Sequence, residues 1–179
     1  EVTLAVSTGV IEPLEDFSDA IRFASYADLS GLVGTLVEKV ARNPAPIVLM
    51  AAAVSDFSPV RSDGKISSDQ EEITITLRRN PKLLARFREQ FGPEAFLVGF
   101  KLTSGLSREA MLEKARKQLE ACRLDLVVAN DVRRFQGDRH PITVLEPGGK
   151  TTDIDGTRND VADQLVTIVL ARNSRNTLP

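Results

Sequence analysis

The apolar positions of this chain fall into short runs of strand length, separated by stretches with helical spacing. Val2–Ser7 (VTLAVS) is rich in β-branched residues and reads as a buried strand, with Ile21–Ala24 a weaker one. Ser25, with Asp28 three residues on, has the form of a capping box; Leu29, Leu32, Val33, Leu36, Val37 and Val40 then recur at helical spacing until Asn43-Pro44. Pro46–Ala53 (PIVLMAAA) is an unbroken apolar run, the pattern of a central parallel strand covered on both faces. Residues 54–70 turn polar around Pro59 and Gly64, which predicts a long mobile flap. Ile73, Ile75 and Leu77 alternate with Thr74 and Thr76 as in a half-buried strand, and Asn80-Pro81 reads as the capped start of a helix containing Leu83, Leu84 and Phe87. Ala95–Leu102 reads as a strand, Ser107 as the cap of a helix burying Met111, Ala115, Leu119 and Cys122, and Leu124–Ala129 as another buried strand. Pro147-Gly148-Gly149, between Pro141–Glu146 and Lys150–Asp155, is a hairpin signature, and Thr157 with Asp160 starts a last helix over Val161, Leu165, Ile168 and Val169. Such alternation predicts one α/β domain over residues 1–179, a three-layer, mostly parallel sheet with an appended hairpin. Ligands of such sheets bind beyond the carboxyl ends of the strands, here the segments after Ala53, Leu102 and Ala129.

Composition narrows the chemistry. With 42% hydrophobic and 27% charged residues the chain has the make-up of an ordinary globular protein. Its 23 Lys and Arg against 25 Asp and Glu leave a formal charge of −2, which argues against nucleic acid as a partner, since that requires a basic surface. A single cysteine makes no intrachain disulfide, and no apolar run reaches the roughly 18 residues of a membrane span. A cytoplasmic protein is expected, without a leader peptide. The absence of an initial Met suggests a piece of something longer.

No GxGxxG, Walker A, GxSxG or paired-cysteine motif is present, and His140, alone in a basic loop, reads as a solvated residue. Cys122 reads as an inert buried thiol. The small side chains of Ala51, Ala52 and Ala53 suit either close approach of a planar ligand or tight helix packing. Asp56, just past the strand, suits a sugar hydroxyl, Mg²⁺ or a loop cap. The amides of Lys82, Leu83 and Leu84 at a helix start attract phosphate, although plain capping explains the same residues. Lys65 is either a flexible cation for a triphosphate or a solvated loop lysine.

Six segments in order, AAAVSDFSPV, GKISS, ITLRRNPKLL, VGFKL, ARKQL and LDLVVANDV, resemble the phosphopantothenoylcysteine synthetase (phosphopantothenate-cysteine ligase) family, from Glu1 to about Arg172. FKL after Val98-Gly99 is more similar to the monofunctional forms than to synthetases fused to a flavin-dependent decarboxylase. The resemblance implies a Rossmann-like homodimer of coenzyme A biosynthesis that activates the carboxylate of 4′-phosphopantothenate with CTP or ATP and Mg²⁺, then joins it to cysteine. It implies that the backbone around Met50, Ala51 and Ala52 meets the base, and that Asp56 serves nucleotide or metal. It further implies that Lys65 clamps the triphosphate, that Lys82, Leu83, Leu84 and Ala85 offer amides to it, and that Phe100 lines the pocket. Asn130 and Asp131 would lie near substrate, with Asn130 and Lys65 taking part in catalysis. Two lysines of the fused enzymes fall on Gln118 and Cys122, leaving Lys117 as the nearest substitute. The hairpin over residues 141–155 would contribute to the dimer, its apolar strand having no room in a parallel core. The family's opening β-α unit, with its asparagine, precedes the strand at Val2. The residues from Glu1 onward are therefore expected to hold a nucleotide without completing the ligation. The competing reading is a nucleotide-binding or regulatory domain of the same fold without ligase activity.

Overall fold

The computed structural model describes residues 2–9, 20–40, 45–61, 64 and 71–176. They form two compact units: residues 1–32 with 52–83 form one, residues 33–51 with 84–179 the other.

The second unit holds a five-stranded mixed sheet. Its strands are β3 (Ile47–Met50), β6 (Phe96–Thr103), β7 (Leu126–Asp131), β8 (Ile142–Leu145) and β9 (Thr151–Ile154), in the spatial order β3-β6-β7-β8-β9. The first three run parallel, whereas β8 and β9 are antiparallel additions on the β7 side. Gly148 and Gly149, both at positive φ, turn β8 into β9 as the Pro-Gly-Gly signature predicts. On one face of the sheet, α4 (Arg158–Asn176) lays Val161, Leu165 and Val169 over Phe96, Val98, Leu126, Val128, Ile142, Val144 and Ile154. On the other, α3 (Arg108–Cys122) buries Met111, Ala115, Leu119 and Cys122. Layers of helix, sheet and helix, with the parallel strands central, give the expected Rossmann-like α/β class.

Three of the four caps form as read. Ser107 Oγ accepts from the Ala110 amide, and Thr157 and Asp160 bond reciprocally. Helix α1 (Tyr26–Val40) starts at a true capping box, the Asp28 carboxylate accepting from the Ser25 amide while Ser25 Oγ accepts from that of Asp28. Arg88 of α2 (Leu83–Phe91) is the unexpected member of the core. Its guanidinium donates to the carbonyls of Gly92, Pro93, Ala95 and Arg123 and to Asp125, fixing the turns that enter β6 and β7.

The first unit contains two small ribbons. Strand β1 (Ala5–Ser7) pairs in parallel with β2 (Ile21–Phe23), outside the five-stranded sheet where the strand count would place them. Strand β4 (Phe57–Pro59) pairs antiparallel with β5 (Leu77–Arg79). The expected flap over residues 54–70 thus contains a strand at its start, and Lys65 lies outside the described residues. The strand expected at Ile73 to Leu77 is replaced by a shorter one beginning at Leu77; residues 72–76 belong to no assigned element and are exposed.

The hairpin also differs from expectation in its reason. Ile142, Val144 and Leu145 are buried within the protein's own sheet, leaving no apolar strand there for a second copy.

Candidate active site

The parallel strands end at Met50, Thr103 and Asp131, and their registers place neighbouring residues side by side: Met50 by Gly99, Leu102 by Asn130, Thr103 by Asp131. Asp131 is the centre of this edge. Although almost wholly buried, its carboxylate accepts four hydrogen bonds: from the amides of Gly105 (2.9 Å), Leu106 (3.1 Å) and Arg133 (3.0 Å) and from the Thr103 hydroxyl (2.8 Å). The Gly105 amide is the largest influence holding the acid well below the usual carboxylate range, with Thr103 and the other two amides adding to it against the cost of burial. A permanent carboxylate here pins the loop after β6 to the exit of β7 and so fixes Asn130, whose carbonyl also accepts from the Thr103 hydroxyl. Gly105 is required at φ +68°, where its missing Cβ leaves the place taken by the Arg133 guanidinium, 3.0 Å from where that atom would lie. The Asn-Asp pair stood out in the sequence. Its four donors, three of them 25 or more residues away, did not.

Gly99 explains how β6 admits the elements above it. A Cβ there would lie 2.6 Å from Leu124 Cδ1, 3.2 Å from Gln118 Nε2 and 3.3 Å from Leu84 Cδ1. Gln118 therefore faces the sheet; its Nε2 reaches the Phe100 carbonyl at 3.4 Å, and its Oε1 is buried with no partner among the described residues. Lys117, offered as the substitute for the family's lysines, is exposed and paired with Glu113 at 3.4 Å. Neighbouring helix positions point about 100° apart, so Lys117 does not occupy the place facing β6. Cys122 is buried. The side chain of Phe100 packs against the α4-side core, so what it offers a ligand is its backbone.

In the first unit, Ala52, Ala53, Ser55 and Asp56 are exposed, as is Ala51 at the end of the second unit's β3, which stops at Met50 rather than Ala53. Asp56 accepts from Lys82 Nζ in an ion pair that is more than half exposed. Such a pair contributes at most about 1 kcal/mol and opens readily. Asn80 does not cap the helix. Its amide donates to the Ser55 carbonyl at 2.9 Å, its own N–H donates to Asp56, and α2 begins only at Leu83. Helix geometry still leaves the first-turn amides of Leu83, Leu84 and Ala85 without intrahelical acceptors. Among the described residues no group of three or more His, Cys, Asp or Glu could hold a metal ion. One carboxylate, Asp56, is what remains. This suits Mg²⁺ held chiefly by phosphate and water, not a metal caged by protein.

Comparison with known proteins bears on the family and the fold. Residues 9–172 match the sequence family described as DNA/pantothenate metabolism flavoprotein C-terminal domain. The chain is 41% identical over 100 residues to the coenzyme A biosynthesis bifunctional protein CoaBC of Thermococcus kodakarensis, covering 55% of this chain and 24% of that protein. It is 30% identical over 155 residues to phosphopantothenate–cysteine ligase 2 of Oryza sativa subsp. japonica, covering 84% and 46%. It thus spans less than half the length of either relative. The crystal structure of the DNA/pantothenate metabolism flavoprotein from Streptococcus pneumoniae superposes with a TM-score of 0.80 over 96% of this chain and 81% of that one, at 24% identity. The match over nearly the whole chain, on the fold that carries Asn130 and Asp131 at its strand ends, makes this protein a member of the DNA/pantothenate metabolism flavoprotein C-terminal domain family.

Proposed function

We propose that the chain carries the ligase chemistry of coenzyme A biosynthesis, joining 4′-phosphopantothenate to cysteine at the expense of CTP or ATP. The observation that carries this reading is the family match over residues 9–172, joined to the clamped Asn130–Asp131 edge at the carboxyl ends of β6 and β7. In this reading a carboxylate oxygen of phosphopantothenate attacks the α-phosphorus of the nucleotide and pyrophosphate leaves. The cysteine amine then attacks the acyl carbon, the nucleoside monophosphate leaves, and the amine gives up its proton. The oxygen of a carboxylate is a poor leaving group, and nucleotidylation replaces it with a good one. The protein has only to position the partners and neutralise charge.

The roles follow from what each residue offers. The backbone at Met50, Ala51, Ala52 and Phe100 serves the base, and the first-turn amides of Leu83, Leu84 and Ala85 serve phosphate. Lys82, once released from Asp56, adds a cation, and Asp56 would be the carboxylate offered to Mg²⁺, which when bound would neutralise phosphate charge. Lys65 is the further cation of the reading, and Asn130 meets the acyl nucleotide. Lys117 contributes nothing to the nucleotide. The protein acts in the cytoplasm, in keeping with its lone buried cysteine, and as a homodimer. Among the described residues no helix is long and apolar enough to cross a membrane.

Pyrophosphate release tests the reading. With phosphopantothenate, Mg²⁺ and either CTP or ATP, the protein should release pyrophosphate, and added cysteine should convert the product to the amide. Lys65→Ala should slow formation of the acyl nucleotide in a single turnover. Nucleotide binding without pyrophosphate release would reassign the chain to a binding module.

A further inference from the structure

An open cavity of about 460 Å³ lies at the far end of the five-stranded sheet from Asn130 and Asp131. The C-terminal half of α3 forms one wall with Arg116, Leu119 and Glu120, and the turn from β8 to β9 forms the other. Leu145, which pairs with Val127, fixes its position: Val127 and Asp131 are four residues apart on β7, about 13 Å at strand rise. The volume is in the ordinary range for a small-molecule site. Nothing in the ligase reading uses it.

Its lining combines an apolar floor with two charges of opposite sign. Leu119 and Leu145, both buried, supply the floor. The Glu120 carboxylate has no partner among the described residues. Arg116, one turn earlier, donates to Glu113 at 3.1 Å, and Lys117 lies 3.4 Å from the same acid, so Glu113 serves two cations and Glu120 none. The order of the charges accounts for this, because on a helix an acid N-terminal to its base pairs better than the reverse. The Arg116–Glu113 pair is about half exposed, and such pairs open readily. Glu146 is already taken, held by both nitrogens of Arg172 at 2.7 and 3.0 Å. Across the cavity, Pro147 and Gly148, the latter at φ +84°, are the central residues of a type II turn closed by the Gly149 amide on the Glu146 carbonyl. The peptide between them keeps a free N–H and a free C=O among the described residues.

We propose that this cavity binds a free α-amino acid with an unbranched apolar side chain. Residues four apart on one helix face have Cβ atoms about 5–6 Å from each other, so a single carbon bearing an ammonium and a carboxylate can meet both Glu120 and Arg116. The ammonium goes to Glu120 and the Pro147 carbonyl, the carboxylate to Arg116 and the Gly148 amide, and the side chain lies on Leu119 and Leu145. An amine alone would use Glu120 and not Arg116. A carboxylic acid alone would use Arg116 and leave Glu120 unpaired. Only a ligand with both charges makes both charge-assisted contacts. The proposal goes beyond the ligase reading and stands without it, since no residue lining the cavity belongs to the strand-end site.

Titration calorimetry with L-methionine tests it. One molecule should bind per chain, and saturating CTP should leave the affinity unchanged, because the strand ends lie elsewhere. The amine left when methionine loses its carboxylate, and the acid left when it loses its amino group, should each bind at least about tenfold more weakly. The same loss is expected for L-methionine itself on Glu120→Gln and on Arg116→Met, with far-ultraviolet circular dichroism unchanged because both side chains are exposed. Glu113→Gln should instead tighten binding about two- to fivefold, since it releases Arg116. Absence of saturable binding at millimolar methionine would overturn the proposal. So would binding of the amine or the acid as tight as that of the amino acid, an affinity unmoved by Glu120→Gln and Arg116→Met, weaker binding by Glu113→Gln, or displacement of methionine by CTP.

Discussion

Gly99→Ala adds one methyl group to the middle of β6, and the structure says what that group meets. An alanine in place of glycine inside a strand ordinarily gains about 0.5–1 kcal/mol by restricting the unfolded chain. Here the new Cβ would approach Leu124 Cδ1 to 2.6 Å, with Gln118 Nε2 at 3.2 Å and Leu84 Cδ1 at 3.3 Å. Leu124 is only 4% exposed, so its methyl group cannot swing into solvent. Overpacking of this kind costs about 1–3 kcal/mol, leaving a net loss of about 1–2 kcal/mol. In urea this is a fall of about 0.5–1 M in the unfolding midpoint with an unchanged slope. The explanation is specific to Leu124 and can be separated from a general intolerance of side chains on β6. Leu124→Ala alone should cost about 2–5 kcal/mol through the cavity it leaves. Combined with Gly99→Ala, the loss should fall short of the sum by about 1 kcal/mol or more, because the added methyl group then fills part of that cavity. A Gly99→Ala protein as stable as the original, or strictly additive losses in the pair, would refute the packing argument.

Other outcomes follow from single contacts. Arg88→Met should lower stability by about 3–5 kcal/mol, because Asp125 loses its ion-pair partner and four carbonyls lose their donor; denaturant unfolding of the variant checks this. Asp131, Glu146 and Asp153 all have folded-state pKa values held below the ordinary carboxylate range, by the Gly105 amide, the Arg172 guanidinium and the Thr143 hydroxyl foremost. Lowered folded values mean that their contribution is complete above about pH 4 and is lost as pH falls through those values. Thermal melting should therefore be insensitive to these groups from pH 5 to 8 and decline below about pH 4, less steeply in Asp131→Asn. Lys117→Ala should leave nucleotide affinity within about twofold, as befits an exposed residue paired with Glu113; a loss beyond tenfold by calorimetry would restore it to the site.

What the sequence showed and what it concealed divide along a physical line. Capping boxes at Ser25 and Thr157, the Ser107 cap and the Pro-Gly-Gly turn are local, and all formed as read. Asn80 was misread because its amide found a carbonyl at Ser55, which no local rule can weigh against a cap. Strand β4 hid inside a polar, proline-bearing segment since three residues on a ribbon need no apolar run. Arg88 did leave a trace. It shares the stripe of Leu84, Phe87 and Phe91 at helical spacing, and a charge on such a stripe is worth suspecting. In the candidate site, Asn130 and Asp131 were picked out as a pair, but the clamp depends on Thr103, Gly105 and Leu106 and had to await the fold. The hairpin was located correctly, but its apolar strand is taken up by its own sheet, because counting apolar strands does not reveal how wide the sheet will be.

The division of the core between the two units bears on how ligand binding would be measured. Among the described residues, the buried apolar side chains of the unit that contains Asp56 and Lys82 are Leu29 and Leu83; the remainder belong to the five-stranded unit. Amide protons of β4 and β5 should therefore exchange with solvent through openings far less costly than those that expose β6 and β7. A ligand that needs Asp56 and Lys82 in place binds only molecules in which the ribbon is closed, so part of its interaction energy goes into closing it. Its measured affinity is then an intrinsic one reduced by the closed fraction, and any second event that holds the ribbon shut raises affinity without touching the ligand. Exchange slowed in β4 and β5 by nucleotide, with β6 and β7 unchanged, is the signature of that coupling.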